Sequence, residues 1–188
     1  MMYEGEWTVE PAAWHVEGTR MTVTPRAESD AWRHTSYGFV HDDAHALLAP
    51  LAVGEAIEVS FVLDYAEQFD QAGLMIRADE ETWIKAGVEV SDGVAQVGAV
   101  VTLGKSDWSV APVPEWVGRE VTARASRAGD AVTIRARVDA EPWRLVRVAP
   151  FPEGAAAGAG PFCCSPTHGD LTVTFTGVSR GAADASLH

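Results

Sequence analysis

The sequence predicts an all-β fold, an antiparallel β-sandwich, and three observations carry that expectation. Apolar and polar residues alternate with period two through most of the chain. No segment shows a helical stripe. The alternating runs are short and are separated by Gly, Pro and Asp turn signals. Each such run buries one face, which a second sheet must cover.

Taken in order, "MTVTP" (21–25) is the first clear strand, and "EAIEVSFVLDY" (55–65) places Ile57, Val59, Phe61 and Leu63 on one face. Strands follow at 69–78, 82–90 and 95–102. "REVTARAS" (119–126) and "DAVTIRARVD" (130–139) flank the turn "RAGD", and "WRLVRVAPF" (143–151) follows "DAEP". "DLTVTFTGV" (170–178) closes the series with Leu171, Val173 and Phe175 on one side. The Ala/Gly run "PEGAAAGAGP" (152–161) reads as a loop. With 188 residues the chain suits one core, so 1–180 is expected to be a single domain. Residues 181–188, "GAADASLH", are expected to form a disordered tail.

Composition narrows the partners. The 27 acidic and 14 basic side chains give a formal net charge of −13. A phosphate backbone calls for clustered Lys and Arg, and an anionic bilayer repels this charge, so no nucleic-acid or membrane partner is expected. No apolar run reaches the ~18 residues of a transmembrane helix. "MMYEGEWTVEP" lacks the basic and apolar regions of a signal peptide. The two cysteines, adjacent in "FCCSP", make no disulfide framework and read as buried strand-edge thiols. A cytoplasmic, thiol-reducing setting is the expectation.

The central strands allow a register to be derived. "ADEET" joins the first pair, and Asp92-Gly93 in "SDG" turns the second. This sets Gln71, Gly73, Met75 and Arg77 opposite Glu89, Gly87, Lys85 and Trp83. It then sets those residues opposite Gln96, Gly98, Val100 and Thr102. The rows that result share one face. Ala72, Leu74, Ile76, Ile84, Ala86, Val88, Val90, Val97, Ala99 and Val101 form the other, which is a core. The glycine row leaves either a shallow groove for a flat ligand, with Trp83 as a stacking wall, or a bend or a trough filled by the chain's own loop.

"FDQAGLMIR", "WIKAGVEV", "KSDWSV" and "PFCCSP", with the earlier "AWRHTSYGFVHDDAHAL", resemble in order and spacing a domain-of-unknown-function family. Its named member is the regulation-of-enolase protein, and it sits in the concanavalin A-like lectin/glucanase superfamily. The resemblance spans about residues 7–178 and implies a jelly-roll sandwich with a ligand-holding concave face. Its motif positions correspond to Asp70, Gln71, Gly73, Trp83, Lys85, Glu89, Thr102, Ser106, Asp107, Trp108 and Ser109, together with Trp32, Thr35, Tyr37 and Cys164-Ser165-Pro166. Strand parity turns Asp70 away from the face, a structural role. "SDWS" reads as a turn capped by Asp107, with Trp108 on the groove rim.

The expected site is therefore Gln71, Gly73, Arg77, Trp83, Lys85, Gly87, Glu89, Gln96, Gly98, Thr102 and Trp108. The expected ligand is a small polar molecule, a saccharide or sugar-like metabolite. Two alternatives stand beside this reading: a glycosidase-like enzyme using Glu89, and a regulatory domain that binds a metabolic enzyme. Glycoside hydrolysis wants two carboxylates about 5–9.5 Å apart. Glu89 is the sole acid on the face, and a partner would have to come from Glu58 or Asp64. "HDDAH" (41–45) lacks a recognised metal-ligand spacing, and no phosphate or dinucleotide loop is present, so no metal or cofactor is expected.

Overall fold

The computed structural model describes residues 3–187. Two seven-stranded sheets face one another. The first runs β1 (Glu6–Trp7), β6 (His45–Pro50), β15 (Gly158–Cys164), β8 (Gln71–Arg77), β9 (Thr82–Ser91), β10 (Val94–Leu103) and β11 (Lys105–Pro112). The second runs β14 (Arg144–Pro150), β13 (Ala131–Val138), β12 (Glu120–Ala128), β7 (Glu55–Val62), β16 (Val173–Ala182), β3 (Arg20–Thr24) and β2 (Ala13–Glu17). A separate two-stranded hairpin, β4 (Ala31–Arg33) with β5 (Val40–Asp42), completes the strands. Neighbouring strands pair antiparallel.

The core lies between the sheets and is the one that alternation marks. Ile57, Val59, Phe61 and Leu63 from the second sheet meet Leu74, Ile76, Ile84, Val88 and Val101 from the first, all buried. The register of the central strands is also the expected one, with Gln71 opposite Glu89 and Glu89 opposite Gln96. The Asp92-Gly93 turn fixes it, since both residues take positive φ (54° and 76°), as the right-handed twist of a two-residue hairpin requires.

Several strands differ from the alternating pattern, each for a physical reason. β15 occupies part of the expected 152–161 loop. It is covered on both faces, so it shows a run of small and apolar residues instead of alternation. Pro161 is tolerated inside it because pairing to β6 is interrupted at Gly160–Pro161. "SDWS" is not a turn. The chain reverses at Gly104 (φ 76°), and Lys105–Pro112 returns as edge strand β11. Asp107 is exposed there and pairs with Arg147 at 2.8 Å instead of capping amides. β2 is exposed throughout, and β4 and β5 are too short to show a period.

The expected tail is ordered in large part. β16 continues to Ala182, the Ala183 amide donates to Gly54 O at 2.8 Å, and Asp184 bonds Arg124 and Arg135. Arg135 also donates to Leu187 O. His188 lies outside the described residues. Cys163 and Cys164 are free and buried, on an interior strand and not at an edge, and burial pushes both thiols up.

The glycine pair Gly73–Gly87 brings two backbones together. A Cβ on Gly73 would stand 2.0 Å from Ala86 O and 2.7 Å from Gly87 Cα, neither of which is a flexible neighbour. Gly73→Ala is therefore expected to destabilise by about 1–3 kcal/mol, the usual range for overpacking. Gly181→Ala, with open space at its Cβ, should be neutral or slightly stabilising. Urea denaturation of the two variants checks this, and equal midpoints would remove the close-approach account.

Candidate functional site

The face of the first sheet turned away from the core carries the expected rows, extended by β15 and β11. One row runs Cys164, Gln71, Glu89, Gln96, Pro112; the next runs Phe162, Gly73, Gly87, Gly98, Val110. Above them lie Gly160, Met75, Lys85, Val100, Trp108 and then Gly158, Arg77, Trp83, Thr102, Ser106. The two upper rows are covered by the chain itself. The β4–β5 hairpin folds over them, and Trp32 packs with Met75, Trp83, Val100 and Phe162 in a second apolar cluster.

Polar bonds fasten the hairpin to the sheet. Arg77 grips Asp42 with both terminal nitrogens, and Arg33 pairs with Glu81. The Arg33 amide donates to Ser106 Oγ at 2.9 Å, and Ser106 shares a further bond with Thr102. Lys85 Nζ meets Asp30 Oδ1 at 2.8 Å just before the hairpin. Behind it, His45 accepts from the Arg26 amide through Nε2 and reaches Val9 O through Nδ1, which keeps the ring neutral. Burial accordingly pushes its pKa down.

The hairpin does not close over Gln71, Glu89 and Trp108. A cavity of about 320 Å³ remains, lined by Asp30, Trp32, Tyr37, Phe39, His41, Phe69, Gln71, Lys85, Glu89 and Trp108, with Glu28 and Thr167 at its edge. The rings follow one another along the hairpin: Trp32 meets Tyr37 edge-on at 5.6 Å, Tyr37 stacks on Phe39 at 5.3 Å, and Phe39 meets His41 at 4.8 Å. Tyr37 is 58% exposed and Trp108 38%, so they supply open aromatic surface at the mouth. Two lining residues, Glu28 and Phe69, hold φ near +65°, a conformation that costs a bulky side chain energy and collects at functional sites. The glycine row itself borders only a void of about 20 Å³, room for a single water between Phe162 and Trp108.

Electrostatics divide the two inner carboxyls. Burial would raise Asp30, but the Lys85 ammonium and the Ala31 amide hold it below the usual carboxylate range. Burial would lower Lys85, yet the Asp30 carboxylate, through charge and a hydrogen bond, holds it above its ordinary value. Glu89 has no such bond. Its carboxyl makes no hydrogen bond among the described residues, and burial pushes it up to about 7 despite the attraction of Lys85.

Of the sequence-predicted residues, Gln71, Lys85, Glu89 and Trp108 come together at this cavity. The others do not. Trp83 is 1% exposed beneath Trp32, so it is core and not a stacking wall. Arg77 and Thr102 secure the hairpin, and Gln96 donates to Ser91 O. Gly73, Gly87 and Gly98 lie beside close backbone contacts or the small void. Asp70 does sit behind the face, where Ser165 Oγ and His168 Nε2 bond it at 3.1 and 2.9 Å. Neither proposed partner acid reaches Glu89's row: Glu58 pairs with Arg124 on the second sheet, and Asp64 lies in the cleft beside Asp70 and His168. In "HDDAH", Asp42 binds Arg77, His45 is buried and His41 lines the cavity. Sequence reasoning missed Asp30, Phe39, His41 and Phe69; the aromatic density of "WRHTSYGFVH" was the available signal.

Two facing antiparallel sheets make this a β-sandwich, the fold also found in a carbohydrate-binding module and in part of a xylosidase. The chain belongs to the family described as "Protein of unknown function (DUF1349)", which matches residues 7–182. It is 37% identical over 173 residues to "Regulation of enolase protein 1" of Saccharomyces cerevisiae, covering 92% of this chain and 87% of that protein. The crystal structure of a functionally unknown S. cerevisiae protein superimposes with a TM-score of 0.92 at 35% identity, over 98% and 99% of the two chains. Carbohydrate binding module CBM66 from Bacillus subtilis gives 0.61 at 15% identity, over 97% and 99%. A xylan beta-1,4-xylosidase from Bacillus halodurans gives 0.65 at 13%, over 86% of this chain and 32% of that one. The last two share the fold. Among the described residues no helix is long and apolar enough to cross a membrane.

Two outcomes follow from the ion pair and from Glu89. Asp30→Asn strands a buried ammonium and should cost about 3 kcal/mol in chemical denaturation. Asp30→Asn with Lys85→Met should cost less than the sum of the single changes; strict additivity would deny the coupling. For Glu89, the folded pKa near 7 exceeds the ordinary 4.5, so folding is penalised progressively as pH rises between those values. Thermal melts of Glu89→Gln should therefore match the parent at pH 4 and exceed it at pH 8. A constant difference across that range would contradict the assignment.

Proposed function

We propose that this chain is a non-catalytic binding module that holds a saccharide or sugar-like metabolite between the β4–β5 hairpin and the first sheet. The observation that carries this reading is the pairing of open aromatic surface, at Tyr37, Phe39 and Trp108, with a polar floor of Gln71, Lys85 and Glu89. A sugar ring presents an apolar face to an aromatic ring and hydroxyls to such a floor. The volume of about 320 Å³ falls at the lower end of small-ligand sites, as a monosaccharide or short terminal unit demands. The resemblance to a carbohydrate-binding module supports the same class.

Catalysis is the weaker reading for a stated reason. Asp30 brings a second carboxyl to the cavity, but Lys85 and the Ala31 amide already occupy its Oδ1. A carboxylate so held is a poor nucleophile or base. The name of the yeast relative keeps a regulatory contact with enolase as a second reading. Binding of enolase retained by a Trp108→Ala variant would favour that role. A cytoplasmic setting belongs to the same proposal, consistent with the free thiols of Cys163 and Cys164.

Thermal-shift and calorimetric screening of mono- and oligosaccharides tests the main reading. A stabilising sugar is expected, with Tyr37→Ala and Trp108→Ala each weakening it by about tenfold, or ~1.4 kcal/mol. Unchanged affinity in both variants would remove the cavity as the site.

A further inference from the structure

We infer that the cavity selects a ligand bearing a protonated amine, within the saccharide class an amino sugar whose ammonium sits against Glu89. This inference rests on the saccharide reading and deepens it. Three observations point the same way.

The first is an unmet hydrogen-bonding need. Glu89 is half-buried at the cavity floor, and among the described residues its carboxyl accepts no hydrogen bond, so its oxygens face the open space of the cavity. Lys85, its nearest cation, directs its bond to Asp30 at 2.8 Å. A carboxyl in this position is free to accept from a ligand, and a charged donor forms the stronger bond. The chain supplies none.

The second is the balance of charge around the cavity. Glu28, Asp30 and Glu89 line it against Lys85 and the imidazole of His41, and no Arg and no second Lys is among the lining residues. With Lys85 and Asp30 cancelling each other, the wall is left net negative. The formal charge of the whole chain, −13, adds a field of the same sign. An anionic sugar, such as a uronic acid, is disfavoured on both counts.

The third is the aromatic wall. Trp32, Tyr37, Phe39 and Trp108 surround the space above the polar floor. The π-face of each ring attracts a cation as well as stacking an apolar one, so a ring bearing an ammonium gains from both. Neutral sugars gain only the stacking. The burial that raises Glu89 fits the same ligand, since a bound ammonium favours the ionised carboxylate that the empty cavity penalises.

Isothermal titration at pH 7 with glucosamine, galactosamine, mannosamine, N-acetylglucosamine, glucose and choline tests the inference. At least one hexosamine should bind about 10- to 100-fold tighter than glucose and N-acetylglucosamine. Glu89→Gln, with its fold verified by thermal melting, should abolish that preference, so that the hexosamine binds no tighter than the neutral sugars. Equal binding of charged and neutral sugars, or a preference that survives Glu89→Gln, overturns the amine selectivity and leaves the saccharide reading standing. Choline binding with no saccharide bound supports the ammonium site and overturns the saccharide class. No binding by any of these probes overturns both.

Discussion

The buried ion pair between Lys85 and Asp30 joins the middle of the first sheet to a segment more than fifty residues earlier in the chain, and the cavity exists because of that link. Lys85 is 4% exposed. A buried ammonium is tolerated only with a close, hydrogen-bonded counter-charge, so Asp30 has little freedom to leave. Fixing Asp30 fixes the start of the β4–β5 hairpin, and Arg77–Asp42 and Arg33–Glu81 fix its far side. Between these points the hairpin lowers Trp32 onto Met75 and Trp83. Beyond them it holds Tyr37 and Phe39 away from the sheet, and the space beneath is the cavity.

The glycine row has a supporting part in this arrangement. Gly73 and Gly87 let β8 and β9 approach more closely than side chains permit. Phe162 and Val110 stand at the two ends of the row and narrow the trough to about a water's width. The glycines therefore shape the sheet under the cavity and do not form its floor. That floor belongs to the neighbouring rows, where Gln71, Glu89 and Lys85 project from alternate positions of paired strands.

The two inner carboxyls show how position sets chemistry within one cavity. Asp30 has a cation and an amide on the same oxygen and stays ionised. Glu89 has burial without a bond and is held near neutrality. One is a structural anchor, held through a single oxygen. The other is an acceptor without a protein partner, facing aromatic walls.

Alternation alone determined the sandwich, its core residues and the register of β8, β9 and β10, because period-two burial and the Asp92-Gly93 turn are local properties. The same rows placed Gln71, Lys85 and Glu89 on one face, and motif resemblance added Trp108. What the rows could not convey is which of their members remain open. Trp83, Arg77 and Thr102 have the right parity but lie under the hairpin, while Asp30 and Phe39 reach the cavity from segments too short to show a period and Phe69 from the positive-φ turn before β8. Nor did β15 or β11 announce themselves, the first covered on both faces and the second an exposed edge. Parity reports the side of a sheet on which a residue stands; only tertiary packing decides what else occupies that side, because the covering segment is held there by ion pairs between residues far apart in sequence.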